Sequence, residues 1–278
     1  MSKNRSDFWV VCWGIGVCFV LYLVLADTPF LRRRGRHGNQ VVTMNNGKSL
    51  MLALDDFSSE YGGFPDDATA EILRERTASP LKLKGEFSND YFRQLVAAGV
   101  AKSEDPFYSK SSYSPRKPDN FNQGTECLKA GEVGFAYIMN GTKALPNDDP
   151  NRIIACGPVL DATATGEFDP EPFQGRAAIV YLDSSVKMVT IRKSDHKVQV
   201  CGAKTLLENG ADTIWDTAIT PTIRPPQPLP GWEMLRFKRK ASEFGRWFGV
   251  AALALFPIGW WAIHRWRSRR ESATSSPS

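Results

Sequence analysis

Two long apolar segments, one near each end of the chain, enclose a polar stretch and limit what the whole can fold into. Residues 8–26 read FWVVCWGIGVCFVLYLVLA, and residues 247–263 read WFGVAALALFPIGWWAI; neither contains a charged side chain. A bilayer's hydrocarbon core, roughly 30 Å thick, needs about 20 helical residues, with about 17 as the lower limit. Both segments therefore predict transmembrane helices. The competing reading is a pair of buried core helices. It fits less well, because the apolar circumference is unbroken and basic clusters stand just outside.

Between these segments, the 278-residue chain leaves room for one domain, expected at 39–220 and large enough to bury a core. A charged fraction of 23% is that of an ordinary globular protein. The net charge of +5 is unevenly placed. Arg32, Arg33, Arg34 and Arg36 follow the first segment. Arg236, Lys238, Arg239, Lys240 and Arg246 precede the second, and Arg265, Arg267, Arg269 and Arg270 follow it. Such collars belong beside anionic headgroups, so membrane lipids are expected partners. Nucleic acid is not, since no module that reads it accompanies the charges. Lys3 and Arg5 could open a signal peptide, but the apolar run is long for one and Ala26-Asp27-Thr28 is a poor cleavage site. An uncleaved anchor is the expectation.

Lysines and arginines on the domain side of the two segments outnumber those on the terminal sides. By the positive-inside rule, this count puts the domain in the cytoplasm. Of the five cysteines, Cys12 and Cys18 lie in the first apolar segment. Cys127, Cys156 and Cys201 allow one disulfide or none. No C-x-x-C pair supports a zinc or thioredoxin-like site.

Within the domain, the spacing of Leu50, Leu54, Phe57 and Tyr61 predicts an amphipathic helix over 41–61, weakened upstream by Asn45, Asn46 and Gly47. Gly62-Gly63 and Phe64-Pro65 end it. Asp66 or Asp67 caps a second helix at 68–76 that buries Ile72 and Leu73. A third runs from Ser88 to Gly99 and buries Phe92, Leu95 and Val96. Residues 104–123, rich in Ser, Pro and Lys, read as a long loop. Strands follow at 133–139, 152–156, 177–182, 186–192 and 197–201, with turns at 183–185 and 194–196. The order predicts an α+β fold, an amphipathic helix packed on an antiparallel β-meander. Prolines 221, 225, 226, 228 and 230 predict an extended linker over 221–231. Residues 232–246 suit a basic interfacial helix, and 264–278 form a basic, Ser-rich tail.

Chemistry is scarce. His37 and His264 flank the apolar segments, which leaves His196 alone in the domain, in a predicted turn. No G-x-S-x-G, phosphate-binding glycine loop or H-E-x-x-H occurs. The pairs Asp55-Asp56, Asp66-Asp67 and Asp148-Asp149 could act as acid and base only if buried in opposed environments, and solvated helix ends and turns are the default. No residue is assigned a catalytic, cofactor-binding or metal-binding role, and no small-molecule substrate is indicated.

The stretch NNGKSLMLALDDFSSEYGGFPDD, with Leu52-Ala53-Leu54, Phe57, Tyr61, Gly63, Phe64 and Pro65, resembles the start of pseudopilins of type II secretion and of the wider type IV pilin-like class. YFRQLVAAGVAKSEDPFYSK, AGEVGFAYIM and FDPEPFQGRAAIVYLDSSVKMV resemble pseudopilin-related proteins of the Verrucomicrobia and Planctomycetes group. The resemblance covers about residues 45–220. It implies a membrane helix leading into the amphipathic helix, and a non-catalytic structural or assembly role with secretion or pilus-assembly proteins as partners. It also implies a domain on the outer side of the cytoplasmic membrane with both termini inside, against the charge count. The chain departs from the class at the prepilin cleavage motif and its glutamate, at Ser184 where the turn usually has Gly, and in its second apolar segment. Two other readings stay open: an envelope hydrolase using carboxylates, and a scaffold binding lipids and proteins through the basic collars.

Overall fold

The computed structural model describes residues 29–232, apart from 113, 114, 123, 124, 161–163, 203, 211, 212 and 216, together with residue 16. Residues 33–232 form one compact unit.

The chain builds a long helix α1 (Pro29–Tyr61), then α2 (Asp67–Thr77) and α3 (Ser88–Ala97). A 3-10 turn (Asp105–Phe107) follows. Five strands come next: β1 (Ala136–Asn140), β2 (Ile153–Gly157), β3 (Arg176–Tyr181), β4 (Val186–Thr190) and β5 (Gln199–Cys201). The series closes with β6 (Lys204–Thr205) and β7 (Pro221–Arg224). The main sheet has five strands in the order β4-β3-β2-β1-β7, each pairing antiparallel, while β5 and β6 form a separate two-stranded ribbon. The fold class is thus α+β with an antiparallel sheet in which β1 to β4 run as a meander, whereas the strand expected at 197–201 leaves the main sheet for the separate ribbon.

Two transmembrane helices were also expected, and here the fold class is corrected. Among the described residues no helix is long and apolar enough to cross a membrane. The 33-residue α1 has the length, but its sequence includes Arg32, Arg33, Arg34, Arg36, Asp55 and Asp56, and charges are expensive in hydrocarbon. The segment 8–26 apart from Gly16, the segment 247–263, the interfacial helix expected over 232–246 apart from Trp232, and the tail lie outside the described residues.

The apolar stripe of α1 does what its period requires: Leu50, Met51, Leu54 and Phe57 are fully buried, and Phe57 stacks on Tyr61 at 4.6 Å between ring centroids. Gly62, at φ +78°, then stops the helix and donates its N–H to the Ser58 carbonyl. Upstream, α1 does not fray at Asn45–Gly47. A Cβ on Gly47 would lie 3.1 Å from methyls of Val180 and Val186, so glycine is what lets the helix approach β3 and β4 closely. Asn46 Nδ2 donates to the Tyr108 carbonyl (2.9 Å), Gln40 Nε2 donates to that of Phe173 (2.9 Å), and Thr43 shares a hydrogen bond with Ser109. Tertiary contacts override weak local propensity here.

Asp66 caps α2, accepting from the Thr69 N–H at 2.8 Å while Thr69 Oγ1 accepts from the Asp66 N–H. Leu73 is buried as expected; Ile72 is not. On α3, Phe92 and Leu95 are buried and Val96 partly so. Tyr91 and Phe92 meet Tyr137 of β1 at 5.9 and 5.4 Å. Strands β1, β2 and β3 are buried at almost every residue, and neighbours along a strand point to opposite faces, so both faces of the sheet's centre are covered.

The expected free linker at 221–231 is the other correction. Its first residues form β7, hydrogen-bonded to β1 in register Tyr137↔Arg224 to Asn140↔Pro221. Pro221 is tolerated because it opens a strand at the sheet's edge. The rest is fastened to α3: the Ser88 N–H donates to the Pro225 carbonyl (2.9 Å), and the Gln227 N–H donates to Asn89 Oδ1 (2.7 Å).

Candidate functional site

Among the described residues, a group of three carboxylates lies in the loop between α3 and β1. Here Glu104, Asp119 and Glu132 bring carboxylate oxygens within 4.8 Å of one another. Burial of Phe107, stacked on Phe92 at 5.3 Å, pins the 3-10 turn and with it Glu104. Arg93 on α3 fixes the returning chain, since its Nε donates to the Cys127 carbonyl and its Nη2 to that of Leu128, both at 2.9 Å. Asn89 Nδ2 adds bonds to the carbonyls of Leu128 (2.9 Å) and Lys129 (3.2 Å). Arg93 is itself held by Asp90 at 2.8 Å.

Glu104 is completely buried and works as a backbone acceptor. Its Oε1 accepts from the Leu128 N–H at 2.8 Å and its Oε2 from the Asn120 N–H at 3.0 Å. In return, Asn120 Oδ1 accepts the N–H of Glu104 at 2.9 Å. Glu132 Oε2 accepts from the Lys129 N–H at 2.7 Å. The Lys129 ammonium lies 2.8 Å from Asp119 and 3.2 Å from Glu126. Burial pushes the carboxyls of Glu104 and Glu132 above the ordinary glutamate value. The hydrogen bond from Lys129 holds Asp119 below its own. Burial, with the Glu104 charge adding to it, pushes the Cys127 thiol up to about 12, so this cysteine is inert at neutral pH.

Two carboxyls with values pushed apart are the pattern that acid–base catalysis uses. In this set the pattern has a structural origin. Glu104 has no exposed surface, and both its oxygens already serve backbone donors, so it has no route for handing a proton to a substrate. The backbone hydrogen bonds of Glu104 and Glu132 fasten the loop.

The Asp pairs singled out in the sequence are not brought together. Asp55 and Asp56 sit on α1, and Asp66 caps α2. Asp67 accepts from the Tyr91 hydroxyl at 3.0 Å. Asp148 pairs with Arg152, and Asp149 closes its own turn by accepting from the Asn151 N–H at 2.9 Å. His196 occupies the expected turn at φ +58°, bonded through its backbone to Arg192 and Phe168. Its neighbour Asp195 is engaged with Arg192, whose hydrogen bond lowers that carboxyl to about 2. Cys127, Cys156 and Cys201 are free thiols, the first two buried and the third exposed. Sequence reasoning missed Glu104, Asp119 and Glu132, because these residues are far apart in a stretch without periodicity and no local motif marks them.

Compared with known proteins, the chain matches no family model, no curated protein and no solved structure.

Proposed function

We propose that this protein is a non-catalytic, pseudopilin-like assembly module of the cell envelope, related to type II secretion and type IV pilus-like systems. It is held at the cytoplasmic membrane with its domain on the outer side, and its basic collars meet anionic lipid. One observation carries the reading. The long helix α1 buries Leu50, Leu54 and Phe57 in the core and sets Gly47 against Val180 and Val186 of the sheet, yet leaves Val41, Val42 and Leu52 about half exposed. A helix half embedded in its own domain and half available is suited to packing against other subunits. The resemblance of residues 45–65 to the pseudopilin helix points the same way.

The test is site-specific photo-crosslinking in the native cell, with a benzophenone amino acid replacing Leu52, Val41 or Val42. The expected result is a light-dependent adduct to a second copy or to an identified secretion or pilus-assembly protein. Absence of any adduct at all three positions, in a chain that is made and folded, would sink the reading.

A further inference from the structure

We propose that the exposed side of α1 pairs antiparallel with the same helix of a second copy, forming a two-fold symmetric dimer. The inference deepens the proposed function by naming the partner of that side, and it rests on that reading. Gly38, Val41, Asn45, Lys48, Leu52 and Asp55 follow one another along α1 at spacings of three and four residues in turn. At about 3.6 residues per turn they form one stripe, on the side of the helix away from the buried Leu50, Leu54 and Phe57. Asp55 is half-buried and the other five are exposed. Alternation of three and four is the spacing of the seam between two paired helices.

The stripe is palindromic. An antiparallel register centred between Asn46 and Gly47 sets Val41 beside Leu52 of the second copy, Asn45 beside its Lys48 and Gly38 beside its Asp55, and symmetry repeats each pair. Charge selects this direction. The start of α1 carries Arg33, Arg34, Arg36 and His37, and its end carries Asp55, Asp56 and Glu60. Parallel helices in register would set basic ends together and acidic ends together, which is costly. In the antiparallel register Arg33 falls opposite Glu60 and His37 opposite Asp56, and the opposed helix dipoles favour the pair as well. Gly38 adds an independent observation. Glycine weakens a helix interior, yet a Cβ at Gly38 would meet nothing within 4 Å, so its own domain gives no packing reason for it. Close approach of a second helix does. The two-fold axis crosses the helices at right angles, and along a bilayer normal it lets both copies enter one membrane.

The experiment is disulfide crosslinking of the full-length chain in its native membranes, with Cys12, Cys18 and Cys201 replaced by alanine. Val41→Cys and Leu52→Cys are introduced singly, as two differently tagged chains made together, and as a double variant, then oxidised with copper phenanthroline. The expected product is a disulfide between position 41 of one copy and position 52 of the other. Like positions should not join, because the helical rise from 41 to 52 separates them by about 16 Å, against the ~7 Å that a disulfide spans. The double variant should stop at a covalent dimer. Glu60→Arg should lower the yield about tenfold, and adding Arg33→Glu should restore it. Disulfides between like positions, a ladder of higher oligomers from the double variant, or no rescue by the second charge change overturns the antiparallel dimer. Absence of the 41–52 disulfide, with photo-crosslinking at the same positions reaching a different protein, overturns the dimer and leaves the assembly reading standing. Neither disulfide nor adduct overturns both.

Discussion

Gly134 has no room for a side chain. A Cβ there would stand 1.8 Å from the Ser109 carbonyl oxygen, so the approach of the 107–109 segment to the entry of β1 requires a bare backbone. The Gly134 N–H donates to the Phe107 carbonyl at 3.0 Å, and that bond positions the turn carrying Glu104. Gly134→Ala should therefore destabilise the domain by about 3 kcal/mol, the upper end of overpacking costs. Denaturant unfolding of the purified chain measures it, and a loss well under about 1 kcal/mol would show that the loop simply moves aside. Phe57 offers the opposite kind of test. It is fully buried between α1 and the rest of the core, so Phe57→Ala should cost about 3 to 5 kcal/mol by leaving a cavity.

Among the elements, the segment following β7 depends most on its neighbours. Residues 225–229 have no partners of their own kind and are held by α3 and the loop. The Gln227 N–H donates to Asn89, and the Gly131 N–H donates to the Gln227 carbonyl at 2.9 Å. Asn89 is fully buried and serves three backbone groups, so it is the shared fastening of both pieces. Asn89→Ala removes the partner of the Gln227 N–H and of the Lys129 carbonyl, while the Leu128 carbonyl keeps Arg93, and should cost about 2 kcal/mol. The diagnostic readout is local: hydrogen exchange at Gln227 and Gly131 should accelerate more than exchange at β2 or β3. Uniform acceleration would mean that Asn89 supports the whole fold equally. The helix α1 shows the reverse dependence, since its stripe and its Gly62 stop are local features readable from spacing. Its continuity through Asn45–Gly47 is not, because Val180 and Val186, distant in the chain, make that glycine useful.

At the scale of the whole molecule, the exposed Cys201 thiol, with Cys127 and Cys156 buried, makes a native reporter for the proposed placement of the domain on the outer side of a membrane. A membrane-impermeant maleimide should label the protein in intact spheroplasts, and Cys201→Ser should abolish that label. Labelling only after lysis would place the domain in the cytoplasm, as the charge count has it. The sequence by itself determined the α+β order, the buried stripe of α1, its glycine stop and the run of strands, because helical and strand periods are written in neighbouring residues. Tertiary structure alone decided that Pro221–Arg224 joins the sheet beside β1, and that Glu104, Asp119 and Glu132 converge. It also decided that the Asp pairs stay apart. The physical reason is the same in each case. These contacts are made by loop closure and by burial against distant residues, which no local pattern of side chains encodes.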